Sequence, residues 1–289
     1  MTSEGLGVVR LETRRAGRSS PARPTASPPL HAYLLDADDD LAGELDLRER
    51  PTARQHVTAR VLEAQAGGCD LQPWLAVVGN GPGLLLLDGL LAVDTCITNR
   101  TTSELLGSGD LLQPLSRHLD DMIERVPSWH ALCACRFALL DAEFAERALP
   151  WPQIAHALLR RTERRAEDLG ALRAISCQPR LEVRLVLFLW HVAARWGRVE
   201  PGGIHLTLPL THRMLGQLVS AERPSISHAL GRLGEAGLVT GAAGEWHLLG
   251  SLDAQLETLI GDPADVAAHR HVRPGADRRA HRRPDGRVA

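Results

Sequence analysis

The chain has 289 residues, of which 44% are hydrophobic and 24% charged, and its formal net charge is -2. Such a composition fits a globular protein with room for two cores, excludes a bulk polycation, and leaves the longest apolar run, near Leu185 to Trp190, far short of the roughly 20 residues that span a bilayer. Aromatic residues make up only 3%, so stacking platforms for single-stranded nucleic acid are not expected.

Residues 1–29 are polar and rich in arginine and proline, with no apolar core of the secretory kind, and are read as a tail on a cytoplasmic protein. From His31 to Leu140 short apolar runs alternate with glycine and polar turns: LAVVGNG, GLLLLDGLLAVD, SELLGSGDLL and CRFALL. These are strand signals, and residues 30–149 are expected to form an antiparallel β-sandwich, jelly roll or small barrel of the sensor kind. The glycines of GNGPG precede a strand and lack the helix that a dinucleotide loop requires. Cys69, Cys96, Cys133, Cys135 and Cys177 are odd in number and dispersed, which predicts free thiols; Cys133 and Cys135 are placed together on one face of a strand.

At Asp141 the period becomes helical. The segment from Trp151 to Ile175 places Ile154, Leu158, Arg161 or Thr162, Arg165, Leu169, Leu172 and Ile175 on one stripe, so residues 150–176 predict a long amphipathic helix. Its stripe suits either a second copy of the chain or the chain's own β-domain. Next, LEVRLVLFLWHVAARWG is apolar nearly all round and belongs in the core of a C-terminal domain, residues 177–251, with Trp190 and Trp196 as packing residues.

The segment THRMLGQLVSAERPSISHALGRLGEAGL, Thr211 to Leu238, reads as two short helices joined by a tight turn. Thr211 is an N-cap and Met214, Leu215 and Leu218 lie at helical spacing behind it. Ser220, Ala221 and Glu222 allow only a sharp reversal, and Pro224 opens the second helix, where its missing N–H is harmless. There Ile226, Ala229, Leu230 and Leu233 face inward, leaving Arg223, Ser225, Ser227, His228 and Arg232 for a major groove about 12 Å wide. Gly237 ends the helix, and two short extended runs around Gly241–Gly244 read as a wing.

An ordinary helical hairpin would show much of the same periodicity. The charge count leans that way: between His205 and Gly250, Arg213, Arg223 and Arg232 are balanced by Glu222, Glu235 and Glu245. A neutral module must gain phosphate affinity from helix N-termini, dimerisation or basic segments elsewhere. Residues 262–289 form a second tail with seven arginines against four aspartates. Its histidines have no scaffold that would make them metal ligands, and no HxxxH or HExxH pair is present, so neither a metal nor an enzyme is expected.

The order of parts, a β-domain ending in LLGSGDLL, a long helix, RLEVRLVLFLWHVAARWGRV and then LPLTHRMLGQLVSAERPSISHALGRLGEAGLV, resembles the Crp/Fnr family of transcription regulators. The resemblance is strongest over roughly Arg180 to Leu249 and does not cover the tails. It implies an α+β chain: a cyclic-nucleotide-binding-like β-domain, a connecting dimerisation helix and a winged helix-turn-helix. It also implies a homodimer that reads double-stranded DNA through Arg223, Ser225, Ser227, His228 and Arg232, with Thr211 and Arg213 near the backbone, and that meets RNA polymerase. Where the family's recognition helix often has an acidic residue after its first arginine and another arginine one turn on, this chain has Pro224 and His228. Where members that bind cyclic nucleotide have a glycine-glutamate pair after GD and an arginine-serine pair further on, this chain has Gln113-Pro114 and Arg125-Val126. Arg125 is the one residue left for an effector phosphate, cyclic nucleotide is not expected, and the effector stays unassigned. The rival reading is a ligand-binding or protein-interaction module with a vestigial helix-turn-helix.

Overall fold

The computed structural model describes residues 30–114, 125–242 and 244–261. Both predicted tails lie outside the described residues. The N-terminal domain is a sandwich of two antiparallel sheets, built from β1 (Leu30–Tyr33), β2 (Thr58–Ala64), β3 (Gly67–Cys69), β4 (Gly83–Asp88), β5 (Leu90–Ile97), β6 (Arg100–Gly107), β7 (Leu111–Leu112), β8 (Val126–Ala131) and β9 (Cys135–Leu140). One sheet has the order β1-β2-β9-β4-β7, the other β3-β8-β5-β6.

Why GLLLLD contains four successive leucines is clear from the layers. Successive strand residues point to opposite faces, and both faces of β4 are buried. Leu84 and Leu86 enter the core between the sheets with Leu91, Val93, Phe137 and Leu139. Leu85 and Leu87 enter a second core with Phe144, Ile154 and Leu158. Strand β5 is divided likewise: Leu91 and Val93 face inward, whereas Leu90 and Ala92 join a third core that belongs mainly to the C-terminal domain.

Three expectations for this domain are corrected. LAVVGNG is no strand: Leu75–Val78 end helix α4 (Gln72–Val78), which has Pro73 in its first turn and stops at Gly79, φ 60°. The stretch after β1 is also helical, forming α1 (Leu34–Ala37), α2 (Asp39–Gly43) and α3 (Arg50–His56). Cys133 and Cys135 do not share a strand, since Cys133 is exposed in the bend before β9 while Cys135 is buried at its start. Burial is the main cause that pushes the Cys135 thiol up to about 11, so it stays protonated and inert near neutrality.

Helix α5 (Ala142–Ala148), capped by Asp141, leads to the long α6 (Pro152–Ser176). Its predicted stripe packs within the chain: Ile154, Leu158 and Arg161 are buried, and Leu172 and Ile175 lie against the C-terminal core. Leu169 departs from that stripe and is 43% exposed, as is Leu159 at 53%. Helix α7 (Leu181–Trp196) follows and is the centre of the C-terminal domain, with Leu185, Val186, Phe188 and Leu189 almost fully buried.

The two domains share that core, and a polar clamp fixes their joint. Arg195, near the end of α7, donates to Asp110 at 2.6 Å and to the Ser108 carbonyl at 2.8 Å. Asp110 also accepts the Gly107 N–H at 2.7 Å. Trp196 lies so close to Gly107 that a β-carbon there would come within 2.9 Å of the indole. Gly107 therefore lets this turn approach the first helix of the C-terminal domain.

Candidate nucleic-acid interface

Beyond α7, the chain forms β10 (Gly197–Glu200), β11 (Gly203–Thr207), α8 (His212–Val219), α9 (Arg223–Glu235), β12 (Val239–Ala242), β13 (Glu245–Leu249) and α10 (Leu252–Ile260). The four strands make one antiparallel sheet, order β10-β11-β13-β12. The β12–β13 hairpin is the wing, and Trp246 anchors it, 3% exposed, with its indole N–H donated to the Leu208 carbonyl at 3.1 Å. Helix α10 had no counterpart in the sequence reading. It is locked to the domain by buried Gln255, whose amide donates to the Leu238 and Leu249 carbonyls while its oxygen accepts the Trp190 N–H.

Each helix of the reading pair forms for local reasons. The Thr211 hydroxyl accepts the Met214 N–H at 3.2 Å, the capping bond expected, worth about 1 kcal/mol. Leu215, Leu218 and Val219 then bury one face of α8. Glu222 is the N-cap of α9 without a side-chain capping bond, Pro224 stands in the first turn, and Ile226, Ala229 and Leu233 are fully buried. Gly237 takes up φ 66° after the helix end.

The turn between the helices depends on Ser220, which adopts a left-handed conformation, φ 56° and ψ 52°. Its N–H closes the last turn of α8, and Arg184 of α7 donates to the Val219 and Ser220 carbonyls at 3.4 and 3.3 Å. Glycine reaches this backbone region without the steric cost of a β-carbon. Ser220→Gly is accordingly expected to stabilise the protein by about 1 kcal/mol despite its larger unfolded-state entropy, and a thermal melt measures it.

The residues singled out from the sequence divide into two groups. Arg213, Arg223, Ser225, Ser227 and His228 are exposed on the open side of the helix pair. Ser227 is held in place: its hydroxyl donates to the Arg223 carbonyl at 3.3 Å and lies 2.8 Å from Nδ1 of His212. Arg232, in contrast, turns back to pair with Glu182 at the start of α7, behind the open face. His212 was missed; its position at the first turn of α8 beside the Thr211 cap was the available signal. Arg125 stands half-buried directly before β8, at the edge of residues 115–124, which lie outside the described residues. Gln113 and Pro114 are exposed after β7.

Residues 183–251 match the model of the Crp-like helix-turn-helix domain. The C-terminal part of the chain is therefore a Crp-like helix-turn-helix domain. A Crp-like helix-turn-helix domain follows an antiparallel β-sandwich, and the same two-domain fold recurs in solved structures. A CooA mutant from Carboxydothermus hydrogenoformans superposes with TM-score 0.54 at 16% identity, over 69% of this chain and 87% of that one. A cyclic nucleotide-binding domain containing protein from Listeria monocytogenes gives 0.53 at 14%, over 73% and 96%. FixK2 from Bradyrhizobium japonicum gives 0.51 at 15%, over 68% and 95%. At these identities the likeness is one of fold. No curated protein matches the chain. Among the described residues, no helix is long and apolar enough to cross a membrane.

Proposed function

We propose that this DNA-binding regulator acts as a sequence-reading homodimer whose α9 enters the major groove with Arg223, Ser225 and His228. The observation that carries this reading is the division of α9: Ile226, Ala229 and Leu233 have no exposed surface, while Arg223, Ser225, Ser227 and His228 are all exposed around its first two turns. Arg223 is the residue for a bidentate contact to guanine, and Arg213 with the N-terminus of α8 faces phosphate. Arg232, held by Glu182, supports the helix from behind.

Dimerisation is assigned to the outer side of α6. Its inner stripe is used within the chain, but Leu159 and Leu169 stay exposed, with exposed Ala166 seven residues after Leu159. That apolar remnant spans the middle of the helix, where a second copy would set two α9 helices about one DNA turn apart. The sensor domain is read as one that does not take cyclic nucleotide, because Gln113 and Pro114 stand where the family's nucleotide-binding members have glycine and glutamate.

A gel-shift titration with a selected operator and a random duplex, at two salt concentrations, tests the reading. Specific affinity is expected, Arg223→Ala should cost about 1–3 kcal/mol of discrimination, and Leu169→Glu should give monomers in sedimentation velocity. Equal affinity for both duplexes would remove sequence specificity, and an unchanged Arg223→Ala titration would favour a vestigial helix-turn-helix. A thermal shift with cyclic AMP would overturn the sensor assignment.

A further inference from the structure

The β5–β6 hairpin of the sensor domain reaches the reading module where the recognition helix begins. Its two strands pair over their full eight residues, Leu90 opposite Gly107 to Ile97 opposite Arg100, which makes an arm of about 25 Å. At the tip Arg100 places Nη1 2.7 Å from Oε1 of Glu222, the N-cap of α9. The Glu222 carboxylate makes no bond to its own helix and is directed at the sensor domain instead. A cleft of about 520 Å³ around the pair is bordered by Asn99, Thr101, Arg213, Gln217 and Arg223.

Both partners are mostly exposed, 77% and 73%, so the pair adds little to stability. Its effect is on charge. The reading module balances three arginines with three glutamates, and Glu222 is the glutamate adjoining the first turn of α9. Bound phosphates approach such a helix start, and a bare carboxylate beside them is repelled. Arg100, from a domain that does not itself carry the helix-turn-helix, cancels the charge of that carboxylate.

We propose that the sensor hairpin is part of the DNA interface, with Arg100 compensating the charge of Glu222 at the start of the recognition helix. This rests on α9 being the reading helix. Because the arm is rooted in the sensor core through Leu91 and Val93, any rearrangement of the sensor that withdraws its tip bares Glu222 and lowers DNA affinity.

The experiment is fluorescence anisotropy with the full chain and a random-sequence duplex of about 40 base pairs, long enough for two half-sites, near 0.1 M salt. One phosphate-range charge corresponds to about a five- to tenfold change in affinity under such conditions. Arg100→Gln is expected to weaken binding by that factor, Glu222→Gln to tighten it comparably, and the double variant to return within about twofold of wild type. Arg100→Lys, which keeps the charge, should stay near wild type, and Arg54→Gln, the same charge change on α3, should matter less than twofold. An unaltered Arg100→Gln titration overturns the proposal, as does a double variant as weak as Arg100→Gln, which would mean that the hairpin acts by shape. A wild-type chain that binds no duplex at all removes the DNA-reading proposal itself, and this inference with it.

Discussion

Arg161→Met is expected to destabilise the protein by about 3–5 kcal/mol at neutral pH, because it strands a buried carboxylate. Arg161 of α6 donates to both oxygens of Asp38, at 2.6 and 2.7 Å, and the two side chains are only 6% and 8% exposed. Asp38 is also the N-cap of α2, accepting the Leu41 N–H at 3.0 Å. Burial is the largest influence on this carboxyl and raises its pKa, but the bonds from Arg161 and Leu41 together outweigh it and hold the value below the ordinary range. In the wild type the pair's contribution is therefore present above the unfolded-state pKa and lost only as pH falls through the lower folded-state value. Without Arg161 burial is opposed only by backbone bonds, so the carboxyl's pKa is expected to rise above its wild-type value and folding to be penalised as pH rises through it. Urea denaturation at about pH 7 and pH 5 should show the larger deficit at pH 7. Adding Asp38→Asn, which keeps an acceptor for Leu41, should recover much of the loss at pH 7 and flatten its pH dependence. A deficit equal at both pH values would mean that packing rather than charge is responsible.

That pair also marks what the sequence could not disclose. Asp38 and Arg161 are separated by 123 residues, and nothing near either names the other. The same holds for Arg195 with Asp110 and Arg100 with Glu222: each joins elements whose proximity is a product of the tertiary fold. Arg161 was legible only as a polar interruption of the α6 stripe. The helix-turn-helix, by contrast, was written locally. A capping threonine, a connection of three residues, a proline in the first turn and a glycine after the last one each act within a few residues, and α8, α9 and the wing run where those signals put them.

The N-terminal domain was less legible because β4, the first half of β5 and most of β9 are buried on both faces. Continuous apolar runs do not separate strand from helix by period, and arbitration falls to flanking residues. In LAVVGNG the apolar residues were read with the glycines after them, whereas Pro73, two residues before Leu75, was the helix signal. Strand β2 does alternate, with Ala59 and Val61 buried, yet its charged neighbours Arg60 and Glu63 obscured it. On the reading surface, the exposed side of α9 followed from periodicity, but the direction of Arg232 did not. Arg232 lies nine residues after Arg223 on a helix with 3.6 residues per turn, halfway round from it, and only the position of Glu182 shows which side it takes.

Gly216→Ala is expected to be the most damaging glycine-to-alanine change within α8 and α9. Alanine is the better helix former by about 1 kcal/mol, so propensity alone favours the substitution. Sterics oppose it: a β-carbon on Gly216 would lie 2.5 Å from the Ala221 carbonyl oxygen and 3.7 Å from the Arg223 nitrogen. Both contacts are backbone, so no side chain can swing away, and the turn carrying Ser220 must open. The expected net loss is about 2–3 kcal/mol, with at least tenfold weaker duplex binding because the angle between α8 and α9 changes. Gly231 supplies the control within the same pair of helices. A β-carbon there meets nothing within 4 Å, and Gly231 lies inside exposed α9, so Gly231→Ala should stabilise by up to about 1 kcal/mol. Thermal melts of the two variants should therefore shift in opposite directions. If Gly216→Ala instead raised the melting temperature as Gly231→Ala does, the close approach of α8 to the α9 entry would not be what sets the turn.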